Sequence, residues 1–283
     1  MADETYAESI RQWRKEYAQR RLSPDGWLAI TGLFWLEQGE NRMGSDPSNQ
    51  VILPSGSAPA FAGIFSLRES EITLQAAEGV EMAINDQLVT TTPIIITEDG
   101  SSEWVLLNEL KISVIQRGSR YGVRVYDQNH PALKMPIDLR WYPVKEEFRI
   151  QARFVPLDQP YTISIVNVMG DFLEEPCTGY AEFTAQGETC RLYALPIEDS
   201  GRLWFLFQDA TGSHTTYPGG RFLTSDGPQE GQIVLDFNKA YNPPCAYTDF
   251  ATCPLPPAVN RLPIPVEAGE MKFRKPTGEP FLS

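Results

Sequence analysis

The chain has 283 residues, 42% of them hydrophobic and 22% charged, a composition that excludes a disordered or membrane-embedded protein and leaves room for two domains or one large β domain. Its 24 basic and 37 acidic side chains give a net charge of −13, a field that repels phosphate backbones and anionic headgroups, so no nucleic-acid and no membrane partner is expected. The 23 prolines and 21 glycines follow no collagen period and point to many turns, hence to an all-β protein.

The opening stretch is charged and carries no apolar run of a secretory signal, and no segment approaches the ~18 apolar residues of a membrane span. The expected location is cytoplasmic, where Cys177, Cys190, Cys245 and Cys253 stay thiols. With no C-x-x-C pair and only His130 and His214, no metal site is expected, and no cofactor is implied.

Residues 1–26 are predicted to hold an N-terminal amphipathic helix over 4–22. Tyr6, Ile10, Trp13 and Tyr17 form one stripe at spacings of four, three and four, Asp3 is placed to cap it, and Pro24 and Gly26 end it. Glu4, Glu8 and Glu16 interrupt any basic face, which argues for a helix packed on the protein body rather than on a membrane. From 27 to 129, apolar runs such as Ile64–Leu67, Ile72–Leu74, Lys111–Ile115 and Tyr121–Val125 recur about every ten residues between turn residues, the rhythm of a β-sandwich.

Residues 130–147 form a bridge in which Pro131, Pro136 and Pro143 discourage any long element. Residues 148–283 make a second β unit, a barrel or half-barrel. Its predicted strands are Phe148–Phe154, Tyr161–Ile165, Tyr180–Phe183, Cys190–Leu195, Leu203–Phe207 and Gln232–Phe237, with a hairpin turning at Asp209–Gly212 and returning through His214 to Tyr217. Between Tyr241 and Glu267 seven prolines forbid a helix or central strand, yet Tyr241, Cys245, Tyr247, Phe250, Cys253 and Leu255 call for burial. That combination describes an ordered loop closing the second unit, and long ordered loops often carry function.

The candidate site lies on this loop and its neighbours. Gly219 and Gly220 permit close backbone approach and deliver Arg221 beside a strand; Asp236 and Asn238, two apart, would share a strand face, with Tyr241 and Asn242 at its exit. Arg221 could grip a carboxylate or phosphate, with Asp236 as an acid or base, or the two could form a structural ion pair. Cys245 could be a nucleophile if His214 stood beside it, an inert buried thiol, or half of a reversible disulfide with Cys253. Tyr217, Gly219, Gly220, Arg221, Asp236, Asn238, Tyr241, Asn242, Cys245, Tyr247, Cys253 and Asn260 are the expected ligand-binding set for a small, anionic molecule.

Gly26-Trp27-Leu28, Gly32 to Leu36, Arg117-Gly118, Thr216 to Leu223 and the string from Leu235 to Pro263 resemble, over nearly the whole chain, a bacterial and archaeal family known only as a domain of unknown function. The resemblance implies no activity. Leu36 to Pro54 and the later Ile84-Asn85-Asp86 are similar to the opening of a forkhead-associated (FHA) sandwich, a phosphothreonine-binding module. Ser45 after Gly44 and Asp86 after Asn85 depart from the Arg and Gly of those modules, so the resemblance implies an FHA-like fold lacking its phosphate site. A non-catalytic interaction module built on that sandwich is the alternative function; the oligomeric state is left open.

Overall fold

The computed structural model describes residues 2–21, 23–97, 100–135, 139–212 and 214–273. Among these residues the structure is all-β apart from one α-helix and short 3-10 turns, and the chain divides into two compact units. Among the described residues, one unit runs over 20–135 and the other joins 2–19 to 139–273.

The first unit is a two-sheet sandwich. Its strands are β1 (Ile30–Trp35), β2 (Gly39–Gly44), β3 (Val51–Ile52), β4 (Gly63–Arg68), β5 (Glu71–Ala76), β6 (Met82–Ile84), β7 (Gln87–Val89), β8 (Thr91–Ile94), β9 (Val105–Leu107), β10 (Leu110–Arg117) and β11 (Arg120–Asp127). One sheet has the order β1-β11-β10-β9-β6-β7 and the other β3-β2-β4-β5-β8. Alternation places Phe65, Leu67, Ile72 and Leu74 of one sheet in a common core with Val105, Ile112, Val114 and Val123 of the other. Asn85 and Asp86, both at positive φ, make the two-residue turn between β6 and β7. The Ser45 hydroxyl donates to the Ala58 carbonyl. As expected from the short apolar runs, 27–127 contains no helix beyond a single 3-10 turn at Trp27–Ala29 among its described residues.

The second unit is a nearly closed barrel of six antiparallel strands. They are β12 (Arg149–Val166), β13 (Phe172–Ala185), β14 (Glu188–Ile197), β15 (Arg202–Phe207), β16 (Arg221–Asp226) and β17 (Gln232–Asp236), in the order β16-β15-β14-β13-β12-β17. The two ends of that order meet where Ser225 Oγ donates to the Val234 carbonyl at 2.7 Å.

Three local expectations are corrected here. The two runs at 148–154 and 161–165 are halves of one 18-residue strand, because both pair with β13 across a register shift between Pro156 and Tyr161. The partner that returns to β15 is β16, with Phe207 opposite Arg221, and not the His214–Tyr217 stretch, which folds into a turn held by Thr211. Asn238 is not on a strand: β17 ends at Asp236, whose carboxylate caps the 3-10 turn Phe237–Lys239.

Helix α1 (Ala2–Arg21) starts before Asp3, so that residue lies inside it rather than capping it. Its predicted stripe packs on the barrel unit: Ile10 is buried, Tyr17 stands 5.5 Å from the Tyr241 ring, and Trp13 meets Trp141 edge-on at 5.9 Å.

The barrel is closed by the proline-rich segment. Leu262, Ile264, Val266 and Ala268 are buried in the barrel core while Pro263, Pro265 and Glu267 between them face out, a period-two pattern. Backbone bonds Leu262 N to Gln208 O and Ala210 N to Ile264 O lay this strap along the loop after β15.

Candidate functional site

Apart from Asn260, the expected site residues fall into four groups of contacts, all in the barrel unit.

Arg221 is 1% exposed and pairs with Asp209, not Asp236, at 3.0 Å. Its Nη2 also donates to the Val266 carbonyl at 2.9 Å and its Nη1 to the Ala268 carbonyl, while the guanidinium lies 5.2 Å from the Phe207 ring. Asp209 accepts in turn from the Val266 amide at 2.8 Å and the Thr211 hydroxyl at 2.7 Å. Charge, forked geometry and burial here serve to fasten the strap, because a buried guanidinium is stable only when a carboxylate and carbonyls replace its water. Gly220 makes this packing possible: its φ is +87°, and a Cβ there would come within 2.3 Å of Pro256 Cγ.

Asp236 and Asn238 do face each other, at 3.3 Å, but their partners are Tyr6 of the N-terminal helix and the Lys145 backbone. Tyr6 donates its hydroxyl to Asp236 at 2.8 Å and accepts from Asn238 Nδ2 at 3.1 Å; Asn238 also binds both the amide and the carbonyl of Lys145. Burial, then the Asp236 carboxylate, pushes the Tyr6 hydroxyl well above its usual range. Arg14, half-buried over the Trp141 ring, donates to the carbonyls of Tyr142 and Asn238, and burial lowers it to about 10.

Asn242 and Tyr247 bind Glu270, which is 1% exposed, and Tyr241 joins them through the Tyr17 ring. The Glu270 carboxylate accepts from the Asn242 amide at 2.8 Å, from the Tyr247 hydroxyl and, at 3.4 Å, from the Tyr17 hydroxyl. Burial and the neighbouring carboxylate hold Tyr247 protonated. Tyr241 exchanges two backbone bonds with Phe222, and its ring meets Tyr17 at a tilt.

Tyr217, Cys245 and Cys253 form the fourth group. The Tyr217 hydroxyl donates to the Cys245 carbonyl at 3.1 Å, and the Cys245 amide donates to Cys253 Sγ at 3.1 Å. Gly219 lies against the Tyr217 ring. Hydrogen bonding from Cys253 outweighs burial and draws the Cys245 thiol below its ordinary range. Asn260 stands apart from all four: its amide spans the strands, donating to the carbonyls of Tyr193 and Leu206 and accepting from the Tyr193 amide.

Sequence reasoning missed Asp209, Glu270, Tyr6 and Arg14 as partners. The aromatic stripe announced Tyr6 as a packing residue; Asp209 looked like turn punctuation, and nothing around Glu270 marked it as buried.

A cleft of about 630 Å³ opens where β12 breaks register with β13, lined by Leu157, Asp158, Tyr161, Thr162, Glu174 and Cys177 among others. Nearby on the same ribbon, Phe172 is 74% exposed and Met169 43%. Burial raises the carboxyl of Glu175, beside Glu174. Among the described residues no group of three or more His, Cys, Asp or Glu is arranged to hold a metal, and no helix is long and apolar enough to cross a membrane.

The string Leu235–Pro263 and the strap that follows it both lie in the stretch where the chain is similar to other proteins. Residues 137–271 match the family described as Protein of unknown function (DUF1684). The match is narrower than the expected whole-chain resemblance, leaving Gly26–Leu36 and Arg117-Gly118 outside it. No curated protein matches the chain. Among solved structures, an uncharacterized protein of Haloarcula marismortui is 31% identical over 47% of this chain and 75% of its own, with a TM-score of 0.39. The FhaA FHA domain complexed with the intracellular domain of Rv3910 is 16% identical over 34% of this chain and 98% of its own, with a TM-score of 0.22.

Proposed function

We propose that the barrel unit of this DUF1684 protein binds a small amphiphilic cation in the cleft beside the β12–β13 register break. The observation that carries the reading is the lining of that cleft: Asp158 and Glu174 bring negative charge next to Tyr161, which is 47% exposed and can meet a cation or an apolar body with its ring. The net charge of −13 favours the same sign of ligand. An anionic ligand at Arg221 loses its support, since Asp209 and the strap carbonyls already occupy that guanidinium.

Titrating the full chain with benzyltrimethylammonium, followed by calorimetry, tests the reading. Saturable binding that weakens at least tenfold in Asp158→Asn/Glu174→Gln and fades with added salt is expected. Equal binding by both proteins, or preference for benzoate, would reject it.

A second reading, in which the sandwich is a protein-interaction module, is favoured by Leu88 at 72% exposure on edge strand β7 and Ile95 at 68% just beyond edge strand β8. Exposed apolar edges accept an added strand. Leu88→Lys and Ile95→Lys should then abolish association with a partner peptide while leaving cation binding intact.

A further inference from the structure

We propose that Cys245 and Cys253 are a redox-active dithiol that closes to a reversible disulfide by exchange with low-molecular-weight disulfides, Cys245 attacking and Cys253 resolving. The site is independent of the cation cleft.

The geometry carries this. Cys253 Sγ lies 3.1 Å from the Cys245 amide nitrogen, which places it beside the base of the Cys245 side chain. Both are present as thiols. The loop between them is held at each end: the 3-10 turn Pro244–Ala246 fixes Cys245, while the Cys253 carbonyl accepts from the Val168 amide at 3.0 Å and the Leu255 amide donates to Val166. Ordered ends keep the sulfurs together without a bond, so closure needs little backbone movement.

Exposure sets the order of events. Cys245 is partly exposed and Cys253 is 4% exposed, which makes Cys245 the more accessible residue of the two. Hydrogen bonding that favours the Cys245 thiolate raises the fraction ready to attack. By contrast, burial pushes the Cys177 and Cys190 thiols up, away from reactivity.

The chemistry balances with a disulfide of glutathione type as oxidant. The Cys245 thiolate attacks one sulfur of that reagent, forming a mixed disulfide and expelling one thiolate, which takes up the Cys245 proton. Cys253 then loses its proton and attacks the Cys245 sulfur, forming the internal S–S bond and releasing the second reagent thiol. Two protein thiols are oxidised and one small disulfide is reduced to two thiols, a two-electron exchange.

The test equilibrates the full chain in graded glutathione and glutathione disulfide, quenches it by alkylation and maps each cysteine by mass spectrometry. Expected are an internal Cys245–Cys253 bond that forms and reverses with the buffer, alkylated Cys177 and Cys190 throughout, a stable glutathione adduct on Cys245 in Cys253→Ser, and no adduct on Cys253 in Cys245→Ser. The wild type decides the matter even where a variant folds poorly. Both sulfurs remaining alkylatable in the most oxidising buffer, or bonding instead to Cys177 or Cys190, would overturn the assignment.

Discussion

The sandwich and the barrel solve the same problem by different means. In the sandwich, strands on both sheets alternate so that aliphatic side chains fill one core, and the sheets' own ladders satisfy most of the backbone. Buried polar groups such as Asn41 there stitch the adjacent turn at Glu37 and Gly39, with one further bond to Phe65 on the neighbouring strand β4. The barrel completes its core with a strap rich in proline, which cannot form a full ladder, and compensates with buried side chains that bind backbone across long sequence distances: Arg221 to Val266 and Ala268, Asn260 to Tyr193 and Leu206, Asn242 to Met271. Buried polar residues that look like a catalytic set can therefore be the joinery of an irregular segment.

This contrast predicts different sensitivities. Replacing Arg221 with Met conserves bulk but strands the Asp209 carboxylate, and urea unfolding should show a loss of about 3–5 kcal/mol. The volume-conserving Met43→Leu in the sandwich core should cost less than about 1.5 kcal/mol in the same assay. Comparable losses in the two would break the comparison. Next in size, Asn260→Ala removes three hydrogen bonds, each worth about 1 kcal/mol, and should lower stability by roughly 3 kcal/mol, again read from urea midpoints. A smaller effect is expected of Tyr6→Phe, which deletes the hydroxyl shared by Asp236 and Asn238 at a cost of about 1–2 kcal/mol while leaving the ring in place; a change several times larger would mean that the helix fastens the barrel, not merely covers it.

The smallest effect concerns Glu175. Burial raises its pKa in the folded chain, so the protonated form is the one the fold prefers. Its contribution is fully present below the unfolded value, ~4.3, and is lost as pH rises through the folded value. Glu175→Gln should therefore raise the thermal midpoint at pH 7, with the gap to the parent protein closing toward pH 4. A variant less stable than the parent at pH 7 would show that Glu175 makes a favourable ionic contact.

What was legible in the sequence was what local periodicity writes. The stripe Tyr6–Ile10–Trp13–Tyr17 announced a packed helix, and the short apolar runs announced the sandwich. The apolar residues of the proline-rich loop announced order, although the alternation Leu262-Pro263-Ile264-Pro265-Val266 was hidden because proline argues against a strand. Partners were not legible. Nothing local says that Arg221 chooses Asp209 over Asp236, since the choice is made by the chain path that brings Val266 and Ala268 onto the same guanidinium. The register break in β12 was equally silent, because two pieces of one strand and two separate strands share the same alternation.

The placement of Pro263 and Pro265 has one last consequence. The inward residues of the strap spend their amides on the barrel, as Leu262 does on Gln208 and Val266 on Asp209, so the outward positions are the ones whose amides would point to solvent. Two of these are prolines and carry no amide at all, and Glu267 follows them with a charge. A foreign strand approaching this margin finds too few donors to build a ladder, so the strap that seals the barrel also blunts its edge against stacking with other chains.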